Sequence, residues 1–317
     1  MTYTVVMLVL SLALLVYGAD RLVDGSAAIA RRAGINEFII GLTIIGFGTS
    51  CPELVVSLTG ALEGISDVAV GNVVGSNIFN TLLILGLTDV VMPISVTRAN
   101  MKVDIPVCIA VSLLLALTGL KKTLFGIGSD SISAVEGVVF LVLFAAYLFY
   151  CFKSDEARVE VAGHTELTLP RALFYTVMGL LFLIVGGKCF VDRSVELARS
   201  VGVSEKYIAI TLLAGGTSLP ELVTSIVAVI KGRGQLALGN ILGSNVFNIL
   251  LILGLSSVAA PLSLENMNIA DLAVMTAGVL IIWAGAALSG GRRIGRLTGA
   301  MLLLCEAGYM IHLTLTL

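Results

Sequence analysis

GTSCPE at residues 48–53 recurs as GTSLPE at residues 216–221, and GNVVGSNIFN at 71–80 recurs as GNILGSNVFN at 239–248. Both pairs share one offset. At that offset Gly18 to Pro93 aligns with Gly186 to Pro261 without a gap, and 35 of the 76 positions are identical. Chance does not produce this, so the chain is built from two homologous halves. Apolar stretches fall near 1–28, 36–62, 68–92, 102–120 and 132–152 in the first half, and near 171–198, 205–230, 235–260, 268–289 and 295–316 in the second. Five spans per half is an odd number, so the halves enter a membrane in opposite senses. The expected fold is all-α and integral to the membrane, with ten transmembrane helices as two inverted five-helix repeats whose helices break at an ion site. Residues 1–152 form the first repeat, 153–169 a linker and 170–317 the second repeat.

Composition agrees with that architecture. Of 317 residues 57% are hydrophobic and only 13% charged, with mean hydropathy +1.04, so a water-soluble fold could not cover its core with polar side chains. Apolar runs of about 20 residues exclude the alternating ten-residue strands of a β-barrel, and 34 glycines fit closely packed membrane helices. A net charge of −2 without a basic cluster excludes a nucleic-acid partner. Cys51, Cys108, Cys151, Cys189 and Cys305 stand singly, as packing residues do. His164 and His312 are isolated in sequence, which argues against a transition-metal site. Met1 to Tyr17 has no positive n-region and no cleavage site, and reads as a first membrane helix.

Basic residues set the orientation. The connections carrying Arg31 and Arg32, Arg98 and Lys102, Lys153, Arg158 and Arg171, Lys231 and Arg233, and Arg292, Arg293 and Arg296 all fall on one side of a ten-span chain. Lys121, Lys122, Arg199 and Lys206 fall on the other. The positive-inside rule then puts the 153–169 linker in the cytoplasm and both termini outside it.

Each GTSxPE segment lies in the middle of an apolar span. Gly46 and Gly48, or Gly215 and Gly216, precede a proline that lacks an amide proton and disfavours helix before it, so the helix should break there. The break frees main-chain carbonyls, and Thr or Ser can cap the second half-helix with Pro in its first turn and Glu just after it. Glu53 and Glu221 are carboxylates at membrane depth, each costing about 2.5 to 3.5 kcal/mol to insert, and their equivalent positions suggest one shared site. The second motif adds the neutral oxygens of Ser76, Asn77 and Asn80, and of Ser244, Asn245 and Asn248, with Ser and the last Asn on one helical face. Helix-to-helix hydrogen bonding is the plainer reading of these neutral groups. Carbonyl, hydroxyl and carboxylate together form a hard oxygen set suited to Na⁺ or Ca²⁺. Asp20, Arg21, Asp24, Lys188, Asp192 and Arg193 read as paired or snorkelling residues, Asp89 and Asp104 as near-interface residues. Glu306 has no partner legible in the sequence.

The paired GTSxPE and GNxxGSNxFN segments resemble the two α-repeats of the calcium/cation antiporter superfamily, most closely its prokaryotic sodium/calcium exchangers, over essentially the whole chain. The resemblance implies ten helices, alternating access and exchange of three Na⁺ for one Ca²⁺ at four neighbouring sites. It implies that Glu53 and Glu221 are shared by both ions, and that Thr49, Thr217, Ser50, Ser218, Ser76 and Ser244 supply flanking oxygens. Gly46 and Ala214 would offer main-chain carbonyls, with Asn80 and Asn248 lining the centre. Some family members carry Asp at the second of these asparagine positions, so this chain departs from them in stoichiometry and potassium dependence.

The sequence therefore reads as a transporter and not an enzyme: a Na⁺/Ca²⁺ antiporter of a bacterial or archaeal cytoplasmic membrane, electrogenic and K⁺-independent. Its substrates are Ca²⁺ and Na⁺, its surroundings the bilayer, and no cofactor or obligatory protein partner is expected. A proton/calcium antiporter is the nearest alternative, since glutamates also carry protons. A channel would need a continuously open path. An intramembrane aspartyl-type protease could pair two acids, but it has no use for so many additional oxygen ligands.

Overall fold

The computed structural model describes residues 2–154, 167–203 and 215–316. In chain order its helices are α1 (Thr2–Ala33), α2 (Glu37–Thr49), α3 (Cys51–Leu62), α4 (Ser66–Val91), α5 (Asn100–Gly119), a short α6 (Lys121–Phe125), α7 (Ala134–Lys153), α8 (Leu169–Ser200), α9 (Leu219–Ile230), α10 (Gly234–Ala259), α11 (Ile269–Leu288) and α12 (Arg296–Thr316). Among the described residues, eight of these helices are long and apolar enough to cross a membrane singly. The α2–α3 pair, bent by 50°, makes a ninth candidate span. The span expected over 205–230 is described only in its second part, α9, because residues 204–214 lie outside the described residues. The chain is an all-helical, multi-pass membrane protein.

Burial separates the helices into centre and periphery. In the most apolar window of α10, 83% of residues are buried, and in α4 67%, against 22% in α12. The glycines of the sequence allow this packing. A Cβ on Gly179 of α8 would lie 2.6 Å from the Leu22 amide nitrogen and 2.7 Å from the Gly18 carbonyl of α1, so these two long helices touch backbone to backbone. A Cβ on Gly239 of α10 would strike the Phe38 carbonyl of α2. Substitution at either glycine would push a helix pair apart.

Four two-residue strands tie the connections together. β1 (Ile94–Ser95) pairs antiparallel with β4 (Arg293–Ile294), and β2 (Ser131–Ile132) with β3 (Leu262–Ser263). β1 precedes α5 and β2 follows it, so the two ribbons mark opposite ends of the bundle. At the β1–β4 end, Arg32 donates from Nη2 to the Leu167 carbonyl at 2.6 Å, Arg233 pairs with Glu37, and Gln235 Nε2 donates to the Ser95 carbonyl at 2.5 Å. Arg32, Arg233 and Arg293 thus lie at one end of the bundle. At the other end, Asn266 Nδ2 donates to Asp67 at 3.0 Å and Lys121 pairs with Glu136 at 2.7 Å. There Asp130 caps the first turn of α6, accepting from the amides of Lys122 at 2.8 Å and Thr123 at 3.1 Å. Hydrogen bonds led by that from the Thr123 hydroxyl hold the Asp130 carboxyl below its ordinary pKa.

Candidate functional site

The bend between α2 and α3 falls at Ser50, whose φ and ψ of −83° and 6° leave the helix just before Pro52 in the first turn of α3. Ser218 has −88° and 7° before Pro220 at the start of α9. Pro52 and Pro220 have no amide proton to bond the carbonyl four residues back, and the ring crowds that carbonyl, so the helical ladder is interrupted at this turn. The expected caps do not form. Neither Ser50 nor Ser218 caps its own half-helix through its side chain. Instead Ser50 Oγ donates to Glu221 Oε1 at 3.1 Å, and Ser218 Oγ donates to Glu53 Oε1 at 3.2 Å. Each serine hydroxyl thus gives its proton to a glutamate of the opposite half, a bond roughly twice as strong when the carboxylate is ionised, and its oxygen takes no bond from the local amides.

Both glutamates are fully buried. Glu53 Oε1 also lies 3.4 Å from Ser76 Oγ, which is 2.9 Å from Ser218 Oγ. Asn72 Nδ2 donates to the Glu53 carbonyl at 3.2 Å and to Ser57 Oγ at 2.9 Å. Its counterpart Asn240 makes the same pair of bonds to the Glu221 carbonyl and Ser225 Oγ, at 3.5 and 3.0 Å. Sequence reading quoted Asn72 and Asn240 within the motif but gave them no role. The signal that could have found them is identity at the repeat offset together with Ser57 and Ser225, which are identical too.

Where α4 and α10 cross, both carry a π-helical stretch that starts at the Phe of the GSNxFN segment, over Phe79–Ile84 and Phe247–Leu253. Such turns widen a helix locally and recur at functional sites. Asn248 Nδ2 donates to Asn77 Oδ1 at 2.9 Å and to Ser76 Oγ at 3.2 Å, Asn80 Nδ2 to Asn245 Oδ1 at 3.3 Å, and Asn245 Nδ2 to Thr81 Oγ1 at 2.8 Å. With the amide nitrogens committed this way, Asn80 Oδ1 and Asn248 Oδ1 are left buried without a donor. So are Ser244 Oγ, Glu53 Oε2 and Glu221 Oε2. A buried acceptor without a donor is costly unless something positive meets it. These five oxygens could hold a hard cation.

The remaining expected ligands sit around them. Thr49 Oγ1 donates to the Ile45 carbonyl at 3.0 Å and lies 3.3 Å from Asn240 Oδ1. The Thr217 hydroxyl oxygen is buried beside Glu53. The Gly46 carbonyl accepts from the Ser50 amide at 3.1 Å and from Thr49 Oγ1 at 3.5 Å, so the bend does not strip it of its helical bond. Ala214 lies outside the described residues. Among those described, no three His, Cys, Asp or Glu side chains converge.

The other intramembrane charges are accounted for largely by pairing. Lys231 Nζ bridges Asp20 at 2.6 Å and Asp24 at 2.7 Å, and Arg193 pairs with Glu196 at 2.6 Å. Asp104 accepts from Tyr147 Oη at 3.0 Å and from Asn100 Nδ2 at 2.9 Å. Asp89 is fully buried with neither carboxylate oxygen hydrogen-bonded, and Glu306 Oε2 in α12 is likewise without a donor. Cys108 and Cys151 are buried, whereas Cys305 is exposed.

Comparison with known proteins gives one consistent answer. The family model described as sodium/calcium exchanger protein matches residues 3–153 and 171–315. The chain is 30% identical over 349 residues to the sodium/calcium exchanger MaX1 of Methanosarcina acetivorans, covering 98% of this chain and 99% of that one. It is 34% identical over 322 residues to the inner membrane protein YrbG of Escherichia coli, covering 98% and 95%. Its fold matches a structure of the sodium-calcium exchanger NCX_Mj soaked with zero Na⁺ and Ca²⁺, with a TM-score of 0.84, 32% identity and 98% of each chain covered. Two repeated motifs, a buried carboxylate pair crossed by serines of the opposite half, and these matches agree: the chain belongs to the sodium/calcium exchanger family, a family of transporters and not of enzymes.

Proposed function

We propose that this chain exchanges Na⁺ for Ca²⁺ by alternating access, with Glu53 and Glu221 as carboxylates shared by the two ions. The observation that carries the reading is the set of six buried oxygens without hydrogen-bond partners, two of them carboxylate: those five, on α3, α4, α9 and α10, and the Thr217 hydroxyl just before α9. Two carboxylates neutralise one Ca²⁺, and a water-poor site tolerates little net charge. The same oxygens serve Na⁺, so occupancy by one ion excludes the other. Thr49, Ser50, Ser76 and Gly46 on one half, and Thr217, Ser218, Ser244 and Ala214 on the other, complete the ligand set in this reading, with Asn80 and Asn248 at its centre.

The proposed architecture is ten spans in two inverted repeats, 1–152 and 170–317, joined by a cytoplasmic linker at 153–169 in a cytoplasmic membrane, with both termini outside. The matching hydrogen bonds of Asn72 and Asn240 and the reciprocal serine-to-glutamate bonds support a two-fold relation between the halves. With Asn at 80 and 248, no third repeat-equivalent carboxylate joins the site, and K⁺ is not needed. Three Na⁺ per Ca²⁺, the ratio the family resemblance implies, then moves one net charge per cycle.

Ca²⁺ uptake by proteoliposomes loaded with Na⁺, compared with K⁺, choline or acid loading, tests the proposal. Uptake should follow Na⁺ loading alone. Uptake driven equally by an acid interior without Na⁺ would assign the protein to proton/calcium exchange.

A further inference from the structure

At the β1–β4 end of the bundle, a groove of about 580 Å³ runs between α11 and α12. Ile281, Ala284 and Leu288 line one wall, Leu297 and Met301 the other. Leu288, Leu297 and Met301 are exposed, on helices that cross a membrane. Arg293 and Arg296 line the same groove, and Arg292 precedes them in the turn. None of these three forms an ion pair among the described residues. Arg296 commits Nε to the Val90 carbonyl at 3.1 Å, and no bond holds the guanidinium of Arg293. The corresponding connection of the first half behaves differently, because there Lys121 is neutralised by Glu136 at 2.7 Å. An apolar trough in the hydrocarbon layer that ends in unpaired arginines at the water boundary is complementary to a lipid with a negative headgroup.

We propose that this groove binds an anionic phospholipid of the leaflet on the β1–β4 side, with an acyl chain between α11 and α12 and the phosphate held by Arg293 and Arg296. A zwitterionic lipid would fill the trough but gain little from the arginines. A second copy docking symmetrically through the same face would set arginine against arginine. The site is separate from the glutamates, so the proposal stands whichever ion drives transport.

The chain has a single tryptophan, Trp283, which does not line the groove. Trp283→Phe combined with Leu297→Trp moves the only reporter onto the groove wall, and Met301→Trp in the same background provides a second reporter should the first fail to fold. In phosphatidylcholine nanodiscs, a minor fraction of brominated phosphatidylglycerol should quench the groove reporter far more than the same fraction of brominated phosphatidylcholine. Trp283 in the unmodified protein should be quenched alike by both. The preference should be worth about five-fold per arginine, fall by that factor in Arg293→Gln, and survive in Arg293→Lys. Equal quenching of the groove reporter by the two lipids would overturn the proposal, as would a preference unchanged by Arg293→Gln and Arg296→Gln together. Quenching by neither lipid in a protein that dimerises would assign the groove to a second copy instead. Displacement of the brominated lipid by inorganic phosphate at constant ionic strength would make it an anion site without lipid character, and would equally sink the idea.

Discussion

Replacing Glu53 by Gln removes one charge from the proposed site with almost no change in shape. Ser76 and Ser218 can still donate to the amide oxygen, since both bonds end on Oε1. The cost arises at Oε2, which is buried without a donor and becomes an amide group without an acceptor, at about 1–3 kcal/mol. The larger effect is on the ion. At a contact of about 2.4 Å and an effective dielectric constant of about 20, one carboxylate charge attracts Ca²⁺ by roughly 14 kcal/mol and Na⁺ by roughly 7. The amide dipole and the rest of the site recover part of this. If only a third of the difference of about 7 kcal/mol survives, Ca²⁺ affinity falls by about 50-fold relative to Na⁺. Radioactive Ca²⁺ uptake into Na⁺-loaded proteoliposomes should then be abolished at sub-millimolar Ca²⁺, while size-exclusion chromatography shows a monodisperse protein. Glu221→Gln should behave alike, because Ser50 donates to its Oε1 and its Oε2 is equally without a donor. A folded Glu53→Gln protein that exchanges Ca²⁺ at near wild-type rate would refute the shared-carboxylate reading.

Asn72→Ala and Asn240→Ala each remove two hydrogen bonds next to a glutamate, partly buried at Asn72 and buried at Asn240, and should lower stability by about 1–3 kcal/mol. A thermal melt in detergent reads this directly, and an unchanged midpoint for both would deny these residues a positioning role. A cysteine placed within 155–165 should react with a membrane-impermeant maleimide only from the cytoplasmic side, and one at the C-terminus only from outside; the opposite labelling would invert the proposed topology. Transport should also respond to voltage. One charge moved through 100 mV is worth about 2.3 kcal/mol, close to a 50-fold change in the Ca²⁺ ratio at equilibrium. An interior-negative potential should favour Na⁺ entry and Ca²⁺ exit, and Ca²⁺ flux indifferent to a valinomycin clamp would point to two Na⁺ per Ca²⁺.

The parts of this molecule that sequence reveals are those governed by local chemistry or by the solvent. Hydropathy located α7, α11 and α12 within about two residues of Ala134–Lys153, Ile269–Leu288 and Arg296–Thr316, because the bilayer fixes how long an apolar run must be. Proline points to the bends at Ser50 and Ser218, because its missing amide proton and its ring interrupt the helical ladder within one turn of itself. The partners of those serines were not legible in the same way. A capping rule weighs the amide two or three residues on, the only alternative acceptor or donor that a single helix can offer, and it has no account of a carboxylate from the other half of the chain. Once the halves pack, the same hydroxyl faces a fully buried carboxyl group of the other half and donates to it, and it takes no bond from the local amides. Asn72 and Asn240 were overlooked for a related reason: nothing within α4 or α10 shows that a neighbouring helix start needs a donor. What does register such contacts is the duplication itself. A residue identical at the repeat offset has kept its type in both halves, as one that answers to a partner in the other half does. Glu53 with Glu221, Ser50 with Ser218 and Asn72 with Asn240 are such pairs, and each pair makes matching contacts. Asp89 opposite Ser257 and Lys121, without an equivalent, break the repeat. The unpaired arginines of the 292–296 turn fall on that asymmetric side of the ledger, where sequence repetition is silent and only the packed structure shows what surrounds a charge.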